Sequence, residues 1–473
     1  MGLNNMRRLA LFLFFIIFLI FFFKIDLIPF VVQISIGSYF IYKIYNISIK
    51  QGGSVFHPVP LVSIILFVFF LLPPLFAYHY KIGLLYITKD IDFDFYLPLI
   101  SWIYLLGIIL FYFGCVLGYK NIVALELKTE ISNKNLLLIT TFFLSISFFA
   151  QLVVFVKFGG IYGYMNAWTD DRSNFDGLGK WFMLAEPFPI ILIFFIFIKY
   201  REKLRNNFYL LVLTFLIFFG SKMLFGGLRG SRSNTIWGLF WFSGLVHLYL
   251  YKLKKIHFII GIIFLSIFMP IYGVYKTYGV DSLGGEYSIS DTNRYENNPL
   301  LDIYVNDFSR ASINAFQMSQ YFNTDYKEKL GSTYYSSVLI LLPFLKNSYT
   351  GHNKNTAGSE LVYEQKMSLS YKDDFDNSRV YGVYGEGLLN FGPYAGVFLF
   401  FIFGYLVMKL DNLSRSIGKD NFLILFVPFL SNLSFVLLLS DSDNAIFFLI
   451  KNGLLPAIYI YVLYMMSIRV KFR

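Results

Sequence analysis

Three basic side chains lie close together where two long apolar runs meet. The junction reads GGLRGSRSNT and carries Arg229 and Arg232, while Lys222 lies near the end of the apolar run before it. Lys222, Gly226 and Arg229 are spaced by four and three residues, which places side chains on one face of a helix. Positive charge beside a helix N-terminus suits a phosphate. We interpret these residues as an anion site; the alternative is arginines that anchor a turn at lipid headgroups.

Three other residues are candidates for acid or base chemistry. Glu186 lies in the apolar run AEPFPI, where prolines interrupt the helix. It either faces a cavity or a partner, as membrane carboxylates usually do, or it pairs with Lys180 or contacts water. Glu386, in YGEGLLNFG, is either a functional carboxylate or a cap at a helix start. His352, in GHNKNTAGSE, is either a general base near neutral pH or a solvated loop residue.

Further charged residues lie in the second half of the chain. Arg310, in NDFSRASINAF, either binds phosphate or sugar or pairs with Asp307. Arg379 opens the segment RVYGVYGEGLLNFGPYAG. Asp441 and Asp443 have a spacing that suits a divalent cation with diphosphate, but it equally suits a helix cap. We predict no metal site.

Membrane spans must position these residues. The chain has 473 residues, of which 57% are hydrophobic and only 15% are charged, a composition outside the range of ordinary soluble domains. Its mean hydropathy of +0.60 also indicates a membrane protein. A span needs about 20 apolar residues. Twelve segments qualify or nearly do: Leu9 to Phe23, Leu27 to Tyr42, Val59 to Tyr80, Leu97 to Gly118, Leu136 to Val156, Trp181 to Ile198, Phe208 to Phe225, Thr235 to Tyr251, Phe258 to Tyr275, Gly387 to Met408, Phe422 to Leu439 and Ala445 to Met466.

The basic residues are distributed unevenly between the loops. A cytoplasmic N-terminus assigns half of the 40 Lys and Arg residues to inner loops, together with only a few acidic residues. The positive-inside rule therefore predicts that both termini are cytoplasmic and that GGLRGSRSNT lies on the outer side. The net charge of +11 is then a sign of topology and does not indicate a nucleic-acid partner.

The spans divide the chain into three regions. Residues 1–275 hold spans one to nine, residues 276–384 form a large external loop, and residues 385–473 hold the last three spans. Such a loop is too long for a passive connector, so we expect it to be functional. Its apolar run SSVLILLPFL, residues 336–345, is too short to cross a membrane and predicts an interfacial helix. No nucleotide-binding Gly-rich motif is found, and no cofactor is expected.

This pattern resembles a known family. A polytopic chain with one large outer loop late in the sequence, an R-G-x-R link at residues 229–232 and a G-E-x-x-x-N-F-G element at residues 385–392 resembles the bacterial O-antigen and capsule repeat-unit polymerases called Wzy. The resemblance in topology covers essentially the whole chain. The fold expected is an all-α polytopic membrane protein of about twelve spans, with a GT-C-like architecture.

The resemblance implies glycosyl transfer at the outer face of the bacterial cytoplasmic membrane. A glycan on undecaprenyl diphosphate would be passed to a newly flipped, lipid-linked repeat unit. Membrane lipid, a repeat-unit flippase and a chain-length regulator would be its partners, without nucleic acid. The alternatives are a ligase of the O-antigen type and a transporter or flippase of lipid-linked glycans. The diphosphate would contact Lys222, Arg229, Arg232, Arg310 and Arg379, and the proton acceptor would be Glu386, His352 or Glu186.

Overall fold

The protein is built almost entirely of helices. The computed structural model describes residues 25–82, 91–124, 127–167, 175, 177–284, 299–339, 357–358, 361 and 380–471, and most of these residues are helical. An apolar chain in a bilayer must satisfy its backbone hydrogen bonds internally, and a helix does so within each segment. The high helical content and the long apolar helices confirm the expectation of an all-α polytopic membrane protein.

The principal helices are numbered in chain order. They are α1 (Ile28–Ile49), α2 (Pro58–His79), α3 (Phe93–Gly118), α4 (Asn133–Lys157), α5 (Gly179–Lys199), α6 (Phe208–Gly227), α7 (Arg232–Leu245, continued by Val246–Leu250), α8 (Lys255–Ser282), α9 (Ala311–Asn323), α10 (Gly382–Arg415), α11 (Phe422–Leu439) and α12 (Ser442–Met466). Shorter helices cover Ile161–Asn166, Arg201–Asn206, Pro299–Asp302, Ile303–Phe308 and Ser332–Leu339.

Ten helices in the described ranges are long and apolar enough to cross a membrane. They correspond to ten of the twelve segments expected from the sequence, with ends shifted by up to seven residues. The segment Thr235 to Tyr251 forms α7 and its continuation, which is not among the ten. The segment Leu9 to Phe23 lies outside the described residues.

Several connecting segments meet at one end of the helix bundle. Strand β1 (Leu127–Glu130) pairs antiparallel with β2 (Ile468–Lys471), close to the C-terminus. The carbonyl of Asp420 accepts the amide of Thr129 at 3.1 Å, and its carboxylate accepts Arg201 at 2.7 Å. Loops that charge counting assigns to the same side of a membrane are therefore in contact with one another.

The described part of the segment between α8 and α10 packs into the bundle. Every residue of α9 from Ala311 to Gln320 is buried, although many are polar. The Tyr104 hydroxyl of α3 donates to Oδ1 of Asn314 at 2.7 Å. The expected interfacial helix at 336–345 overlaps helix Ser332–Leu339, and its remaining residues lie outside the described ranges.

Helix α10 is too long for one straight span. At about 1.5 Å per residue its length would far exceed a hydrocarbon core of about 30 Å. The chain breaks at Gly392, where φ is 75°, just before Pro393. A Cβ at Gly396 would lie only 2.6 Å from the carbonyl carbon of Gly387. The first part of α10 therefore packs back against the residues that follow the break.

Candidate anion-binding site

Lys222 occupies a fully buried position near the end of α6. This helix begins where Oδ1 of Asn207 accepts the amide of Leu210 at 3.0 Å, which is a side-chain cap. The Lys222 residue is only 1% exposed, and its Nζ donates to Oδ1 of Asn234 in α7 at 3.2 Å. Its stem packs against Gly238, because a Cβ there would lie 2.8 Å from Cε of Lys222.

Glu186 lies at a break in α5 and pairs with two cations other than Lys222. The first part of this helix ends at Ala185, and Phe188 begins the second part after Pro187. The Glu186 carboxylate, 1% exposed, accepts the Arg229 guanidinium and lies 2.7 Å from Nζ of Lys451. Glu186 therefore links α5 to α12 and to the short segment between α6 and α7.

Two of the cations lie at irregular turns of their helices. Lys451 belongs to the π-helical segment Leu449–Leu454, and Lys222 immediately precedes a kink at Phe225 and Gly226, where the backbone leaves helical geometry. Single π-helical turns inside α-helices occur frequently at functional sites, since the wider turn changes the direction of nearby side chains. A π-helical turn in α12 and a kink in α6 thus lie beside two of the cations that surround Glu186.

The segment that carries Arg229 is held on both sides. From α8, the Tyr272 hydroxyl donates to the Gly227 carbonyl and the Tyr275 hydroxyl donates to the Leu228 carbonyl. The Arg229 guanidinium lies over the Phe182 ring, 3.9 Å from its centroid. The pKa of Arg229 is raised above its ordinary value, because Glu186 outweighs the lowering effect of burial. A charged guanidinium is thus fixed in position.

The site holds more positive charge than its carboxylate neutralises. Among the described residues, three basic groups, on Lys222, Arg229 and Lys451, surround one carboxylate, which leaves a formal excess of two positive charges. Two buried donors, Nε of Arg229 and Nδ2 of Asn234, have no hydrogen-bond partner among the described residues. A Cβ at Gly226 would lie 2.1 Å from that Nδ2 atom and 3.3 Å from the Glu186 carboxyl carbon. Donors and charge converge here, as an anion requires.

Glu386 and Asp441 form a second, separate group. The Glu386 carboxylate accepts the Ser442 amide at 2.7 Å, the Ser442 hydroxyl, and the Thr333 hydroxyl at 2.7 Å. Asp441 accepts the amides of Tyr381 and Gly382 at 2.8 and 3.0 Å. Glu386 thus caps a helix, as one interpretation of the sequence expected, but it caps α12 and not its own helix. Its catalytic role stays a prediction.

Arg310 belongs to this second group. It precedes α9, and its guanidinium donates to the carbonyls of Leu439 and Ser309 at 3.2 and 3.0 Å. Ser442 and Lys451, on the same helix, separate the two groups by about 13 Å at 1.5 Å per residue. The structure therefore does not bring Arg310 into the cluster around Glu186.

The remaining predicted residues can be placed only in part. The structure brings Lys222, Arg229 and Glu186 together, whereas Lys180 is exposed and Glu186 pairs elsewhere. His352 and Arg379 lie outside the described residues, and so does the side chain of Arg232.

Sequence reasoning missed Lys451. It lies within the last apolar run, in FFLIKNGLLPAIY, as an isolated cation. A charged residue inside a span usually has a partner in the bundle. The position of this lysine in the sequence therefore indicates a buried ion pair. Its partner, Glu186, is far away in sequence and could not have been identified without the fold.

The chain matches no protein-family model, no curated protein and no solved structure. The arrangement around Glu186 must therefore be interpreted from its own chemistry. In the described part of the chain, no group of three or more His, Cys, Asp or Glu residues could hold a metal ion. What the cluster can do is bind an anion through fixed cations in a buried site.

Proposed function

We propose that this chain is a membrane glycosyltransferase that polymerises undecaprenyl-diphosphate-linked oligosaccharide repeat units into O-antigen or capsular polysaccharide. The observation that carries the proposal is the excess of two positive charges around Glu186. The diphosphate of a lipid-linked sugar carries two negative charges near neutral pH and would neutralise that excess. The resemblance of the R-G-x-R and G-E-x-x-x-N-F-G elements to Wzy polymerases supports the same conclusion.

The cluster supplies what the leaving group of such a reaction needs. As the anomeric carbon leaves the diphosphate oxygen, negative charge grows on that oxygen, and fixed cations in a dry site stabilise it. Arg229 and Lys451 are held by Glu186, and Lys222 by Asn234, so little reorganisation would be required. No nucleotide is needed, because the diphosphate already activates the donor sugar.

The reaction balances with a single proton acceptor. A hydroxyl oxygen of the acceptor sugar bonds to the anomeric carbon of the donor glycan, and the bond from that carbon to diphosphate breaks. Undecaprenyl diphosphate leaves, and the hydroxyl proton passes to a base. We propose Glu386 or His352 as the base, since both oxygens of Glu186 are engaged by cations.

The proposal includes an orientation. Twelve spans with both termini in the bacterial cytoplasm would place Arg229 toward the outer face of the inner membrane, where flipped repeat units arrive. The segment 276–384 would lie on that face. A repeat-unit flippase would supply the substrate, and a chain-length regulator would act on the growing product.

The activity can be tested with the purified full-length protein. Incubation with an undecaprenyl-diphosphate-linked repeat unit should give a ladder of longer products on a gel. Arg229→Gln should lower the rate at least about tenfold, because a buried charge contact to the diphosphate is lost. The matched variant Arg205→Gln, at an exposed position, should behave like the wild type. Transfer to a different acceptor would indicate a ligase, and movement of the lipid without a ladder would indicate a flippase.

The orientation needs its own test. Cys115 is buried, so single cysteines added elsewhere can be labelled selectively. Tyr335 is 61% exposed in helix Ser332–Leu339, and Glu202 is exposed in helix Arg201–Asn206. A membrane-impermeant thiol reagent added to spheroplasts should label Tyr335→Cys and leave Glu202→Cys unlabelled until the membrane is opened. The reverse pattern would contradict the orientation.

A further inference from the structure

Glu186 is the carboxylate on which the cationic cluster depends. Its two oxygens engage Arg229 and Lys451, and its position at the break in α5 brings it beneath Gly226. A carboxylate inside a phosphate site is unusual, because it repels the ligand that the cations attract. Its presence therefore needs a physical reason.

The reason lies in the charge of the site without ligand. Three buried cations with no anion would be strongly destabilising, since each is removed from water without compensation. Glu186 neutralises one of them and holds two in place. The remaining excess of two positive charges matches a diphosphate diester. Nε of Arg229 and Nδ2 of Asn234, which have no partner in the described part of the chain, can contact it.

We infer that Glu186 is a permanent counter-ion that sets the charge of this site, so that a diphosphate dianion binds without being trapped. This rests on the proposed function only in taking the cluster as the diphosphate site. Glu186 is then a positioning residue and not the base of the reaction. Its repulsion of the ligand weakens binding and allows the lipid diphosphate to leave after each transfer.

The charge of the site can be varied in both directions. Inorganic pyrophosphate is the probe, titrated into the full-length protein in detergent without divalent cations. Glu186→Gln should tighten the Kd for pyrophosphate about tenfold, because one like-charge repulsion is removed. Lys451→Met should weaken it by a similar factor. The matched exposed variant Glu130→Gln should leave the Kd unchanged.

A double variant distinguishes an effect of charge on the Kd from an effect of misfolding. Glu186→Gln with Lys451→Met restores the original excess of charge, and its Kd for pyrophosphate should return to near the wild-type value. A double variant that binds as weakly as Lys451→Met alone would overturn the inference. So would a single Glu186→Gln variant that remains folded in the assay yet binds pyrophosphate no more tightly.

Turnover gives an independent measure. In the polymerisation assay, Glu186→Gln should lower both KM and kcat, since the substrate binds more tightly and the product leaves more slowly. A purely structural role would raise KM instead. If Glu186→Gln tightens pyrophosphate binding but the wild type forms no ladder, the proposed function fails and the counter-ion role stands. If the ladder forms and Glu186→Gln does not tighten pyrophosphate binding, the proposed function stands and the counter-ion role fails.

Discussion

Asp441 and Glu386 each accept backbone amides at the start of the other residue's helix. Asp441, which immediately precedes α12, binds the amides of Tyr381 and Gly382 at the beginning of α10. Glu386, in α10, binds the amide of Ser442 at the beginning of α12. The first amides of a helix have no hydrogen-bond acceptor within that helix. Each carboxylate therefore supplies an acceptor for the first amides of the other helix. This exchange fixes α10 against α12.

The capping and catalytic roles of Glu386 can be separated. Glu386→Gln keeps an oxygen that can accept the Ser442 amide, so its midpoint of thermal unfolding should stay close to the wild-type value. If Glu386 is the base, the rate of polymerisation should fall about a hundredfold or more. Asp441→Ala should instead lower the free energy of unfolding by about 2 kcal/mol, since two amides lose their acceptor.

The exposed variant Glu328→Gln is the matched control for that experiment. Normal polymerisation by a folded Glu386→Gln protein would assign the carboxylate to capping alone. The base would then have to be sought elsewhere, with His352 the remaining candidate from the sequence.

Lys451 tests whether the anion site extends beyond the residues expected from the sequence. Lys451→Met removes a cation but leaves Arg229 paired with Glu186, so we expect the protein to fold with little change in thermal midpoint. The polymerisation rate should fall at least about tenfold, because the diphosphate loses a buried charge contact. The exposed Lys81→Met is the matched control. Equal rates for the two variants would remove Lys451 from the site.

Gly238 allows the position of Lys222 to be tested without changing charge. The methyl group of Gly238→Ala would lie 2.8 Å from Cε and 3.0 Å from Cγ of Lys222, so the lysine side chain, which donates to Asn234, must shift. We expect the Kd for pyrophosphate to rise several-fold while the protein remains folded. Gly261→Ala, where nothing lies within 4 Å of the new methyl group, is the control. An unchanged Kd would show that Lys222 does not contact the anion.

His57 predicts a pH dependence of stability. It precedes α2, its Nδ1 accepts the Ser54 amide at 3.0 Å, and burial lowers its pKa below the ordinary value of 6.5. The unfolded chain therefore binds a proton more readily than the folded protein, so stability falls as pH drops below about 6.5. His57→Gln should reduce the loss of thermal midpoint between pH 7 and pH 5. The same loss in the variant would mean that other groups cause it.

The membrane architecture followed from the sequence because it depends on local properties. Runs of apolar residues long enough to cross a bilayer must form helices, whatever their neighbours are. Two departures arose where tertiary contacts decide. The first part of α10 folds back at Gly392. Helix α9, with its many polar residues, is buried because Tyr104 of α3 and the carbonyl of Tyr381, just before α10, satisfy side chains such as Asn314.

The sequence by itself determined that Lys222 and Arg229 lie near each other, since only six residues lie between them, and that Glu186 in an apolar run needs a partner. Only the tertiary structure decided that Arg229 and Lys451 are those partners. An ion pair depends on which helices pack together, and no local pattern records that. Because burying a charge is costly, each charged residue in an apolar run indicates a partner from the sequence alone. The packing of α5, α6 and α12 brings these residues together in one site.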